Sequence, residues 1–156
     1  RYRWPFVDNM AFGGYNKHFR PARTTRDWLT KDERIVDAYL ADERCTFLFT
    51  LNGYYNLFHS IEEASKPENL QKMPKDLPVL FASGTEDPVG NFGKGVEQVR
   101  KAFQAAGMED VTWILYENDR HEILNETDRA TVYKDLYAWL YVRMSDPRRK
   151  TGGKRL

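Results

Sequence analysis

With 156 residues, 41% of them hydrophobic and 30% charged, the chain can bury one sizeable core and has the length of a single domain. Twenty-four Lys and Arg against 23 Asp and Glu leave a formal net charge of +1, so the overall balance implies no polyanionic partner and argues against nucleic acid. The single Cys45 excludes an internal disulfide and suits a reducing, cytoplasmic compartment, and no apolar run approaches the roughly 18 residues of a transmembrane segment.

The chain opens without Met at Arg1-Tyr2-Arg3-Trp4, inside an aromatic stretch and with nothing of signal-peptide form, which reads as an internal cut. Residues 10–21 carry Gly13 and Gly14 and few helix signals, so an irregular segment is expected there. Thr30-Lys31-Asp32-Glu33 has the form of a capping box, in which the Thr hydroxyl and the Glu carboxylate satisfy reciprocal main-chain amides, and Ile35, Val36, Tyr39 and Leu40 follow at helical spacing. A second helix is predicted over 51–65, where Tyr54, Leu57, Phe58 and Ile61 recur at three and four residues and Pro67 closes the run. Cys45, with no companion thiol or neighbouring His, reads as a small buried residue rather than a nucleophile. The many aromatic side chains before residue 60 are explained mostly by packing of small helical layers, a minority of them lining an apolar pocket.

Composition shifts near Pro74, dividing the chain into 1–73, 74–145 and a basic tail at 146–156 that reads as a solvated, frayed end. After Pro74 the pattern becomes regular. Residues 77–83 (LPVLFAS) form a short apolar run of buried-strand type, and a helix follows from about 91 to 106 with Phe92, Val96, Val99, Phe103 and Ala106 on one face. Gly107 supplies the left-handed stop. Residues 111–116 (VTWILY) are a second strand, and a last helix from about 127 places Tyr133, Leu136, Tyr137 and Leu140 on one face. Strand, helix, strand, helix predicts two parallel neighbouring strands of an α/β fold.

That order gives two polar residues their meaning. Asp87, in SGTEDPVG (83–90), and His121, in DRHEILNE (119–126), both lie beyond the carboxyl ends of adjacent parallel strands, where open α/β sheets bind ligands. They are 34 residues apart, one β-α-β unit, and strands about 4.8 Å apart let a carboxylate on one loop reach an imidazole on the next. Such a carboxylate fixes the His tautomer and stabilises the imidazolium formed when His takes a proton from a serine hydroxyl. Each residue has a plainer explanation alone: Asp87 could shape the turn before Pro88, and His121 could cap the last helix. Their joint placement favours the catalytic reading. A nucleophile is missing, because no G-x-S-x-G elbow occurs and Ser60, Ser65, Ser83 and Ser145 lack the strand-elbow-helix context. His18 and His59 are far from both loops in sequence, no ligand spacing suggests a metal, and residues 91–95 (NFGKG) lack P-loop spacing.

The same segments resemble the α/β-hydrolase subgroup containing monoacylglycerol lipases, lysophospholipases and serine aminopeptidase hydrolases. Residues 77–90 resemble that subgroup's strand leading to the triad acid, 116–126 its histidine loop, and 23–32 (RTTRDWLTKD) its cap segment. The resemblance implies the C-terminal part of an α/β-hydrolase fold, meaning the last two parallel strands and their helices, with a helical cap over 1–73. It makes Asp87 the triad acid and His121 the general base, and sets Val89 and Gly90 beside the substrate because they follow the acid. Arg120, Glu122, Asn125 and Glu126 would orient the histidine loop and cap the last helix. The nucleophilic Ser and oxyanion hole would reside in an absent N-terminal half acting as partner, the substrate would be a small acyl ester or lysolipid, no cofactor is needed, and this chain alone would be inactive. Two alternatives stand beside this: a noncatalytic binding fragment of hydrolase fold, and a hydrolase-fold enzyme of other chemistry, such as a peptidase or a haloperoxidase-like protein. Retention of both Asp87 and His121 argues against the first.

Overall fold

The computed structural model describes residues 2–145, and the basic tail expected at 146–156 lies outside them. Its first part is helical: α1 (Pro5–Phe12), a 3-10 turn (Tyr15–His18), α2 (Glu33–Ala41), α3 (Leu51–Ser65) and α4 (Pro67–Gln71). The second part runs β1 (Val79–Gly84), α5 (Lys94–Ala105), β2 (Val111–Tyr116), a 3-10 turn (Ile123–Asn125) and α6 (Arg129–Ser145).

β1 and β2 pair in parallel, with Val79 opposite Val111 and Gly84 opposite Tyr116, as the strand-helix-strand order predicts. Because side chains alternate along a strand, Phe81 and Trp113 share one face, and α5 covers it: the Phe103 ring meets Phe81 edge-on at 5.1 Å and Arg100 lies 5.0 Å over Trp113. Thr112 points the other way, and there α6 is fastened by Arg143, whose Nη2 donates to Thr112 Oγ1 at 3.1 Å and whose Nε donates to Asp110 Oδ2 at 3.0 Å.

Several local expectations are corrected by tertiary contacts. In the segment 10–21, expected to be irregular, residues 10–12 are the end of α1 and 15–18 a 3-10 turn: Pro5, with its φ already helical and no amide to satisfy, sits in the first turn of α1, and the Tyr54 hydroxyl on α3 donates to Asp8 on α1 at 2.6 Å. The cap of α2 is Asp32, whose carboxylate accepts from the Arg34 amide at 3.1 Å, whereas the Thr30 hydroxyl donates to the Asn125 carbonyl 95 residues away. α3 has the expected bounds, capped by Thr50 accepting from Gly53 and ending at Ser65 ahead of Pro67, which itself opens the short α4. α5 begins at Lys94, because Asn91, Phe92 and Gly93 all have positive φ and hold the chain out of a right-handed helix.

The inner face of α6 is rotated from the one the apolar spacing predicts. Val132 is fully buried and Leu136, Trp139 and Arg143 are half-buried, while Tyr133, Tyr137 and Leu140 are exposed. Arg143 stacks on Trp139 at 4.0 Å, so the aliphatic and guanidinium parts of a cation do the covering that a Leu or Tyr was expected to do. Cys45 is likewise half-buried rather than buried.

Candidate functional site

The site is built where β1 and β2 end side by side. Gly84, the last residue of β1, sits so close to the histidine loop that a Cβ there would lie 2.0 Å from the Asp119 carbonyl oxygen. Glycine is required by this approach of two main chains. Beyond it the two loops are laced together: the Thr85 amide donates to Tyr116 O at 2.9 Å, the Glu86 amide to Asp119 O at 2.8 Å, and the Asn118 amide to Thr85 Oγ1 at 2.8 Å.

This lacing brings Asp87 and His121 together. Asp87 is buried, and both its carboxylate oxygens lie 3.1 Å from His121 Nδ1. The Val89 amide donates to Asp87 Oδ1 at 2.8 Å, fixing the carboxylate from behind. A carboxylate that accepts makes Nδ1 the donor, so Nε2 is left as the acceptor, and it carries no hydrogen bond among the described residues. The hydrogen bond that Nδ1 donates to Asp87 raises the imidazole pKa above its ordinary value, aided by the charges of Asp87 and Glu122 and opposed by burial. Val89 and Gly90 lie on the same turn, lining with Phe81, Ser83 and Val96 a hollow of about 390 Å³ against Asp87. Gly90 has little room to spare, since a Cβ there would be 3.3 Å from Ser83 Oγ and 3.4 Å from Asp87 Oδ2.

The histidine loop is held from its other side by residues 27–32, a strap that precedes α2. The His121 and Glu122 amides donate to the carbonyls of Trp28 and Leu29 at 3.4 and 2.7 Å, and the Trp28 ring packs 5.2 Å from the imidazole. Glu126, fully buried, accepts from the amides of Lys31, Arg120 and Thr127. Arg120 Nη1 donates to Asp27 O at 2.5 Å, and Glu122 and Asn125 bond to each other at 2.7 Å. These contacts fit the structural parts expected of Arg120, Glu122, Asn125 and Glu126.

Two participants were missed in the sequence. Asp119, fully buried, forms an ion pair with Lys31 Nζ at 2.7 Å, and burial holds its carboxyl above the usual carboxylate range. Trp28 was counted among many aromatics, with no local signal that it would face His121. His18, far from both loops in sequence, meets the Phe92 ring at 4.6 Å and so reaches the turn after Asp87, whereas His59 stays exposed on α3. Ser83 Oγ makes a 3.5 Å contact to the Gly84 carbonyl, and among the described residues no hydroxyl or thiol hydrogen-bonds to His121.

The profile of the family described as serine aminopeptidase, S33, matches residues 5–128. The chain belongs to this α/β-hydrolase family. Its fold matches a highly thermostable carboxyl esterase from Bacillus coagulans, solved with glycerol, at a TM-score of 0.81 and 25% identity over 89% of this chain and 46% of that one. It also matches a lipase in an open form at 0.73 and 25% identity, covering 85% of this chain and 43% of the lipase. A soluble variant of monoglyceride lipase from Saccharomyces cerevisiae, solved with a substrate analog, shares the fold at 0.56 and 23% identity over 73% and 41% of the two chains. The S33-family chain therefore spans less than half the length of each of these structures. No curated protein matches it. Among the described residues, no helix is long and apolar enough to cross a membrane.

Proposed function

We propose that Asp87 and His121 are the acid and general base of a Ser-His-Asp triad in a carboxylic ester hydrolase, and that the nucleophilic serine comes from polypeptide outside these 156 residues. The observation that carries this reading is the buried Asp87 carboxylate on Nδ1 with Nε2 left without a partner among the described residues. In this mechanism Nε2 takes the proton of the serine hydroxyl as its oxygen bonds to the ester carbonyl carbon. The resulting imidazolium, stabilised by Asp87, gives that proton to the departing alcohol. Water, deprotonated by the same Nε2, then releases the acyl group and restores the serine.

In the same proposal residues 1–73 form the cap and 74–145 the C-terminal part of the hydrolase core, with the strap at 27–32 joining the two. Val89 and Gly90 border the substrate from the hollow beside Asp87. The substrate class is a monoacyl ester or lysolipid, in keeping with the esterase and lipase among the matched structures. The single half-buried Cys45 fits a reducing, cytoplasmic setting.

The test uses the complete polypeptide or this chain with its partner, assayed by p-nitrophenyl ester hydrolysis and fluorophosphonate labelling. A labelled serine is expected, with kcat/KM falling by about 10⁴-fold or more in His121→Ala. Labelling that fails in the complete protein would favour a noncatalytic module, and cleavage of peptides but not esters would favour a peptidase.

A further inference from the structure

Beside the histidine loop lies a cleft of about 380 Å³ between the turn at 18–21, the strap and the start of α2. Four cationic side chains line it, Arg20, Arg23, Lys31 and Arg120, against the carboxylates of Asp27 and Glu33. Most of these charges are already matched. Arg23 Nη1 lies 2.7 Å from Asp37 Oδ1 and its Nε 3.8 Å from Glu33, and Lys31 belongs to Asp119. The Asp27 carboxylate accepts from the Arg23 and Thr24 amides and the Thr24 hydroxyl; although burial pushes its pKa upward, these bonds hold it below the usual range.

Two cations remain unmatched. Arg20 is exposed and makes no hydrogen bond or ion pair among the described residues. Arg120 rests its guanidinium 4.3 Å over the Phe19 ring and spends Nη1 on the carbonyls of Asp27 and Thr30. Among the described residues no carboxylate meets that guanidinium, its Nε is buried with no hydrogen-bond partner, and no hydrogen bond engages Nη2. The charge of Arg120 and its Nη2 donor are left for a ligand with acceptor oxygens and negative charge.

We infer that this cleft is a binding site for a phosphate-type oxyanion, held between Arg20 and Arg120 with Phe19 as its floor. Neutral or cationic ligands would leave both guanidinium charges unmet, whereas an oxyanion accepts from Nη2 of Arg120 and from the planar fork of the exposed Arg20. Since Arg120 adjoins His121 and holds the strap, the bound anion would fasten residues 20–30 onto the histidine loop. The binding does not depend on any catalytic role for His121.

The experiment is isothermal titration of the full chain with inorganic phosphate and, separately, with octyl phosphate, at constant ionic strength so that screening does not change. Saturable one-to-one binding is expected, weakened roughly tenfold in Arg20→Ala and unchanged in Arg44→Ala, whose side chain is exposed and already paired with Asp42. Arg20→Ala should keep the wild-type urea midpoint without ligand, because Arg20 holds nothing in the fold. Arg20-dependent binding of inorganic phosphate identifies a free anion as a sufficient ligand, and Arg20-dependent binding of octyl phosphate alone identifies an esterified headgroup. No saturable heat from either, or binding indifferent to Arg20, overturns the inference.

Discussion

Replacing Gly84 by Ala tests the idea that one close approach of main chains assembles the whole site. The added Cβ would stand 2.0 Å from Asp119 O, 2.4 Å from Asp119 C and 2.5 Å from Arg120 O. All three are main-chain atoms of the histidine loop, so no side chain can swing aside. Ordinary contact at about 3.5 Å requires the loops to part by about 1 Å or more. That displacement stretches the bonds from Thr85 N to Tyr116 O, Glu86 N to Asp119 O and Asn118 N to Thr85 Oγ1, now 2.8–2.9 Å. At about 0.5–1.5 kcal/mol each, their loss amounts to about 1.5–4.5 kcal/mol. With an m-value of about 2 kcal/mol/M, a loss of ~3 kcal/mol lowers the urea midpoint by about 1.5 M. The same separation pulls Asp87 from Nδ1, so the His121 titration, followed by NMR, should move down toward the ordinary histidine value. A Gly84→Ala protein with a midpoint within about 0.2 M of wild type and an unchanged His121 titration would refute the reasoning.

Other perturbations follow from the same contacts. Because the folded pKa of His121 lies above 6.5, the Asp87 contact contributes stability fully at pH values below 6.5 and loses it as pH rises through the folded pKa. Urea midpoints of wild type and Asp87→Asn should therefore differ in pH dependence across that window, and parallel profiles would contradict it. Lys31→Met strips the buried Asp119 of its cation and should cost about 2–3 kcal/mol, less than a fully buried pair because Lys31 is partly exposed. Adding Asp119→Asn should recover at least half of that, measured as a double-mutant cycle in urea. On α6, Val132→Ala should cost about 2 kcal/mol and Tyr137→Ser less than about 0.5 kcal/mol, the reverse of what the apolar spacing alone predicts.

The parallel strands and the meeting of Asp87 with His121 were legible because they depend on short-range signals. Apolar runs bounded by Pro and Gly mark the strands, one crossover sets their neighbourhood, and residues just past two adjacent strand ends must lie within reach of each other. What was not legible depends on partners far away in the chain. Thr30 has every local feature of an N-cap, yet its hydroxyl is drawn to Asn125, leaving Asp32 to cap α2. The apolar stripe of α6 carries more exposed Tyr and Leu than buried ones, because Arg143 is recruited inward by Asp110 and Trp139. The delayed start of α5 follows from three left-handed residues that carry the chain back from Asp87, where the Phe92 amide returns to the Asp87 carbonyl at 2.8 Å. Only Pro5 in the first turn of α1 was a sequence signal left unused.

Three buried carboxylates surround the histidine loop, and their partners separate their roles. An ionised carboxylate withdrawn from water must be compensated by charge or by donated hydrogen bonds. Asp119 is met at Oδ1 by Lys31 Nζ while its buried Oδ2 has no hydrogen bond among the described residues, and Glu126 is compensated by the amides of Lys31, Arg120 and Thr127. Both thus fasten the strap to the loop and direct no charge at the imidazole. Asp87 differs, since beyond the Val89 amide its side chain meets His121 at both oxygens. Full compensation of Asp87 therefore requires a protonated Nδ1, and it grows stronger when the ring becomes an imidazolium. The other two hold the main chain of the strap and the loop, and the Trp28 ring on that strap packs 5.2 Å from the imidazole, so the loop's buried charge and the contact to its histidine are carried by separate residues.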